Sequence, residues 1–152
     1  MKKVLLIIPI FLLLFGCSNK VEDNKYAYLE YKNNLEKQEE FMNNEGLNFN
    51  TFFDIDRDGD IVKYSLTINN PKIDMHDIKA LLIHDYDNID VYPSTGIFDE
   101  PKTLLCNSSD NIKLEGTILS ADDLSDVKFK LYLEYTNNEN EQEEIYYEVQ
   151  RG

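Results

Sequence analysis

Tryptophan is absent from this chain, cysteine occurs only twice, and the one strongly apolar run, Val4 to Phe15, is 12 residues long with Pro9 inside it. Each scarcity excludes something. Cys17 and Cys106 alone cannot build a disulfide framework, so stability must come from a packed core. An apolar run of this length falls short of the roughly 20 residues a helix needs to span a bilayer, which argues against a permanent transmembrane helix. Positive charge is scarce too: 15 Lys and Arg stand against 29 Asp and Glu, a formal net charge of −14. Such a chain is soluble and repels nucleic acid, so no nucleic-acid partner is expected. No Gly-rich phosphate loop, serine elbow or zinc-ligand spacing occurs. His76, His84 and Cys106 are the only residues that could supply a thiol nucleophile and its base. The two histidines are eight residues apart, which is neither a strand nor a helix pair, and we expect a half-buried cysteine with surface histidines. No catalytic residue is assigned and no enzymatic activity is expected.

What is present is clearest at the start. Lys2 and Lys3, the apolar run and Gly16 just before Cys17 follow the order of a secretory signal peptide. Leu14-Phe15-Gly16-Cys17 resembles the lipobox of bacterial lipoproteins, with Phe15 bulkier than the residue usual there. The resemblance implies cleavage after Gly16, lipidation of Cys17, and tethering to the extracytoplasmic face of the cell membrane. It covers only the first 20 or so residues and implies no activity. Two acyl chains anchor stably where one does not, so diacylation of Cys17 would suffice. Residues 1–16 are then the leader, 17–46 a tether with a helix, and 47–152 a single domain. Removal of Lys2 and Lys3 makes the product still more acidic. Two Arg against 13 Lys point to an A/T-rich genome and a low-GC Gram-positive host.

From about Glu22 to Glu45 there is no Pro or Gly, and Tyr28, Tyr31, Leu35 and Met42 recur at helical spacing among Lys, Glu and Gln. This predicts an amphipathic helix stopped by Gly46, its stripe packing on its own domain; a stalk or a partner-helix face are the other readings. From Leu47 the period becomes two. Phe49, Thr51, Phe53 and Ile55, then Val62, Tyr64, Leu66 and Ile68, flank Asp58-Gly59, a strong hairpin signal. With Asp58-Gly59 as the two-residue turn, Arg57 faces Asp60, Ile55 faces Val62, Phe53 faces Tyr64, Thr51 faces Leu66, Phe49 faces Ile68, and Asp54 faces Lys63 across the other side.

Further strands are expected over 78–86, 89–92, 103–106, 112–118, 127–135 and 145–149, with one helical turn over 120–124 capped by Ser120. Seven or so strands over about 100 residues, with a helical turn before the last two, resemble an immunoglobulin-like antiparallel β-sandwich. The fold class expected is therefore mainly β: such a sandwich preceded by an N-terminal amphipathic helix. The paired cysteines and core Trp of antibody-type domains are missing.

Asp54, Asp56, Asp58 and Asp60, with Gly59, match the first eight positions of an EF-hand-like calcium loop, but Ser65 stands where the bidentate carboxylate belongs. No cofactor is assigned; calcium held by these four aspartates is the alternative, in a calcium-responsive or calcium-stabilised surface domain. Tyr146-Tyr147 must put one ring on each face of the last strand, so Tyr146 or its neighbour Tyr132 could form an exposed binding face. The leading expectation is a membrane-anchored binding module with a protein partner in the envelope, of the helper, immunity or exclusion type.

Overall fold

The computed structural model describes residues 20–86, 91–120 and 122–151. The leader, Cys17 and the expected strand positions 89 and 90 lie outside these. Among the described residues, one helix, α1 (Lys20–Lys37), precedes eight strands: β1 (Asn50–Asp58), β2 (Ile61–Asn69), β3 (Met75–His84), β4 (Ser94–Thr95), β5 (Lys102–Leu104), β6 (Ile112–Leu119), β7 (Phe129–Thr136) and β8 (Gln142–Glu148). The protein is mainly β, with two antiparallel sheets in a sandwich-like arrangement. One sheet has the order β1-β2-β6 and the other β4-β3-β7-β8, with β5 also pairing β3.

Alternation builds the shared core. Val62, Tyr64, Leu66 and Ile68 of β2 meet Ala80 and Leu82 of β3, Leu131 and Leu133 of β7, and Ile145 and Tyr147 of β8 in one buried cluster. On the far side of the second sheet, Leu81, Ile83 and Tyr132 form a second cluster with Tyr28 and Leu35 of α1. The helical stripe therefore packs on its own domain as a third layer, and β3 and β7 are covered on both faces. That double cover explains why Leu81, Leu82 and Ile83 can follow one another without a polar break.

Two boundaries differ from expectation. The helix stops at Lys37 rather than near Glu45, because the chain must leave the helix layer to reach the sheet: the Met42 N–H donates to the Tyr146 carbonyl at 2.8 Å. Met42 is thus 40% exposed and not part of the stripe, and Gly46 ends a separate 3-10 turn, its N–H bonded to the Asn43 side chain. The strand expected over 89–92 pairs instead at Ser94–Thr95; Pro93 just before it cannot donate, but its carbonyl accepts from the Leu82 N–H at 3.0 Å.

The β1–β2 hairpin forms, with its turn one residue later. Asp58 pairs with Ile61, so Gly59-Asp60 are the central residues, and Gly59 takes φ +60° while Asp60 does not cross into positive φ. Glycine first with positive φ is the type II′ arrangement, which fits the strand twist as well as an Asp-Gly turn would. Phe53 therefore faces Leu66, Ile55 faces Tyr64, and Asp56 rather than Asp54 faces Lys63. The shift is by two positions across the pair, so the apolar members stay on one face. No helix forms over 120–124 among the described residues. The Ser120 hydroxyl accepts from the Asp122 N–H at 2.9 Å. Arg57 donates to the Ser120 and Asp122 carbonyls and Arg151 to those of Leu124 and Val127, so side chains satisfy groups that helical bonds would otherwise take.

Candidate functional site

Beneath α1 lies a polar network in an otherwise apolar interface. Glu134 of β7 is 6% exposed, and its carboxylate accepts from Lys79 Nζ at 2.6 Å, the Tyr132 hydroxyl at 2.9 Å and the Tyr31 hydroxyl at 3.3 Å. Cross-strand pairing puts Lys79 opposite Glu134, and the Tyr31 ring stacks on Tyr132 with centroids 4.5 Å apart. Burial pushes the Glu134 carboxyl up, but the hydrogen bonds and charge of Lys79, with the two phenols, outweigh it and hold it below its ordinary range. Burial pushes Lys79 down, yet Glu134 raises it above its usual value. Burial, then Glu134, raises both Tyr31 and Tyr132. Every member has its partner, so the network clamps helix to sheet rather than presenting reactive groups. Tyr132, expected as a candidate for an exposed face, is 1% exposed, and Tyr146 packs partly buried beside it at 5.4 Å between ring centroids. The helix covers the face those tyrosines would have offered.

A surface cleft opens where α1 crosses the end of β3. It measures about 380 Å³ and is lined by Glu36, Ile83, His84, Asp85, Tyr86, Tyr92 and Lys130. His84, expected at the surface, is 4% exposed among aromatic rings: Tyr64, Tyr92 and Phe129 lie 5.5, 5.1 and 5.6 Å away by centroid. The Tyr92 hydroxyl donates to the His84 carbonyl, its N–H donates to the Tyr28 hydroxyl at 2.7 Å, and Lys32 sits over its ring. The Tyr86 hydroxyl reaches Ser120 and Asp122. The cleft thus combines aromatic walls with carboxylates from Glu36 and Asp85 and the ammonium of Lys130, a mixture suited to gripping one side chain of a partner. The residues that build it are far apart in sequence, and no motif announced it.

The other expected residues fall at the two ends of β3, with Cys106 and His76 at its start and His84 at its end, and along β1. Cys106 is half-buried, as expected; its thiol donates to the Lys72 carbonyl at 3.3 Å and accepts from the Asn107 amide, while its N–H is held by Asp74. These contacts fix it near the start of β3, whereas His84 ends that strand, roughly 25 Å from His76 at about 3.3 Å per strand residue. His76 pairs with Thr136 across β3 and β7. Asp54, Asp56 and Asp58 are strung along one face of β1 in an unbroken ladder, and Asp60 sits in the turn. They do not wrap a common centre, because the strand holds successive same-face residues almost 7 Å apart. Among the described residues no group of three His, Cys, Asp or Glu is placed to hold a metal ion. In this structure the same four residues form the outer face of β1 and the hairpin turn. No helix among the described residues is long and apolar enough to cross a membrane. No protein-family model matches this chain, and no curated protein matches it in sequence.

Proposed function

We propose that this chain is a lipoprotein, cut before Cys17 and held by acyl chains on that cysteine at the extracytoplasmic face of the cell membrane, where its immunoglobulin-like domain binds a protein partner of the envelope. The observation that carries the reading is Leu14-Phe15-Gly16-Cys17 at the end of a 12-residue apolar run behind Lys2-Lys3. The strand order supports the immunoglobulin-like assignment. The first, second and sixth strands share one sheet, and the third, seventh and eighth share the other, which matches the A, B, E and C, F, G strands of that architecture with two short extra strands, β4 and β5, beside C. With neither Trp nor a disulfide, the core is filled by large aromatic side chains, among them Tyr64, Phe129 and Tyr135.

Binding rather than catalysis is favoured by a Cys106 thiol that bonds to the Lys72 carbonyl and the Asn107 amide rather than to a histidine, and by a cleft whose carboxylates and ammonium are not aimed at one reacting atom. An immunity or exclusion factor, or a helper of a membrane complex, is the kind of protein this describes. In a detergent phase-separation assay the wild-type chain should enter the detergent phase and Cys17→Ala the aqueous phase. A photo-cross-linking amino acid at Lys130, on the cleft rim, should give a discrete protein adduct in intact cells, while one at Thr117 on the outer face of the first sheet should not. Equal behaviour at both positions contradicts the assignment of the cleft, and a wild-type protein in the aqueous phase contradicts the anchor.

A further inference from the structure

The first two turns of α1 run past the sheet they belong to. Val21, Tyr28 and Leu35 recur at intervals of seven on one stripe, yet Tyr28 and Leu35 are 3% and 0% exposed while Val21 is 77% exposed. Sheet lies beneath the later members and not beneath the first. Beside this overhang, the loop after β4 presents Phe98, 48% exposed, with its ring centroid 5.2 Å from that of Tyr28. Lys20 Nζ is 3.7 Å from Glu100, so helix start and loop form one surface. Both acids of the loop are countered, Glu100 by Lys20 and Asp99 by Lys102 at 3.6 Å. In a chain of net charge −14, this face sets Lys20, Lys25 and Lys102 against Glu22, Asp23, Asp99 and Glu100, a near balance that lowers the repulsion an anionic headgroup layer would otherwise exert.

Chain length supplies the occupant. Only two residues separate Cys17 from Lys20. Three steps of about 3.8 Å cannot exceed about 11 Å, so a Cys17 whose acyl chains are buried in the leaflet keeps the start of α1 at headgroup depth or just above it. The helix is docked on the domain through Tyr28 and Leu35, so it cannot act as a free stalk that lifts the domain away.

We infer that the overhanging turns of α1 and the loop carrying Phe98 are the face with which this domain rests on the bilayer, Val21 and Phe98 entering the headgroup layer. The inference rests on the lipid-anchor reading and extends it from a tether to an orientation. The opposite side of the molecule is defined as well. β1 lies over β8, since the Thr51 hydroxyl reaches that of Tyr147, and Phe52 on the outer face of β1 is 63% exposed. That position is diagonally across both sheets from the β4 edge.

The absence of Trp makes the test direct. Phe98→Trp, Val21→Trp and Phe52→Trp each introduce a single indole at an exposed position. The full-length lipidated proteins are purified from membranes and reconstituted into phosphatidylcholine vesicles with a minority of phosphatidylglycerol, with and without brominated acyl chains, and vesicle binding is checked by flotation. Emission from Trp at positions 98 and 21 should shift to the blue on reconstitution and be quenched several-fold more than at 52. Vesicle-bound protein with equal quenching at all three positions, or stronger quenching at 52, overturns the orientation and leaves the anchor standing. Failure of the lipid-bearing fraction to float overturns the anchor and the orientation with it.

Discussion

At the scale of single residues, two positions show how narrowly the interior is cut. Gly116 of β6 lies opposite Tyr64 of β2, whose phenol occupies the space a Cβ would need. Gly116→Ala should therefore force the Tyr64 ring out of the core and lower stability by about 1–3 kcal/mol, the range for overpacking, measured by urea unfolding. Alternation identified Gly116 as a member of its strand, but only the cross-strand register shows why no side chain fits there. Glu134 is the second position. Its carboxyl is held below the ordinary value of 4.5, so its share of stability is complete above about pH 4.5 and is lost as pH falls through the folded value. Lys79 is raised above 10.5, so its share is complete below that pH and is lost as pH rises beyond the folded value. The stability gap between wild type and Glu134→Gln should be constant around neutral pH and close under acid conditions; a gap that persists into acid would mean the pair contributes through packing alone.

At the scale of elements, the helix and the hairpin carry the argument. Leu35 is fully buried between α1 and the second sheet. Leu35→Ala should cost about 2–5 kcal/mol, the range for a large-to-small change in a core. A stalk helix would tolerate the change with no measurable loss, so urea unfolding of this variant separates the two roles. In the hairpin, Asp54→Asn combined with Asp56→Asn should leave the melting temperature within a degree or two of wild type, with or without millimolar calcium, because both side chains stand exposed on β1. A calcium-dependent rise that the double variant lacks would restore the coordinating loop.

These elements also mark what the sequence made legible. Period-two alternation located β2, β6, β7 and β8, and the 3.6-residue stripe located α1, because each of these has at least one face that must be apolar. The turn forms one residue later than Asp58-Gly59 because Asp-Gly and Gly-Asp both satisfy hairpin geometry, through different signs of φ at the second position. Alternation leaves Tyr132 and Tyr146 as candidates for an exposed face because it reports one buried face and says nothing of cover on the other. The signal for that cover was present in the unbroken run Ala80-Leu81-Leu82-Ile83 beside an amphipathic helix. The cleft around His84 was not legible at all, since it depends on where α1 crosses the sheet.

For the whole molecule, the proposed anchor and the observed fold make one picture. If Cys17 carries lipid, α1, which starts at Lys20 and is docked on the sheet, would hold the sandwich-like domain close to the membrane and leave the cleft at the end of β3 open to the proposed partner. Everything in that picture depends on Cys17. Metabolic labelling with a clickable fatty acid, followed by capture of the protein, tests it most directly. Wild type and Cys106→Ser should carry the label and Cys17→Ala should not; an unlabelled wild-type protein, or label that persists in Cys17→Ala, would contradict the account.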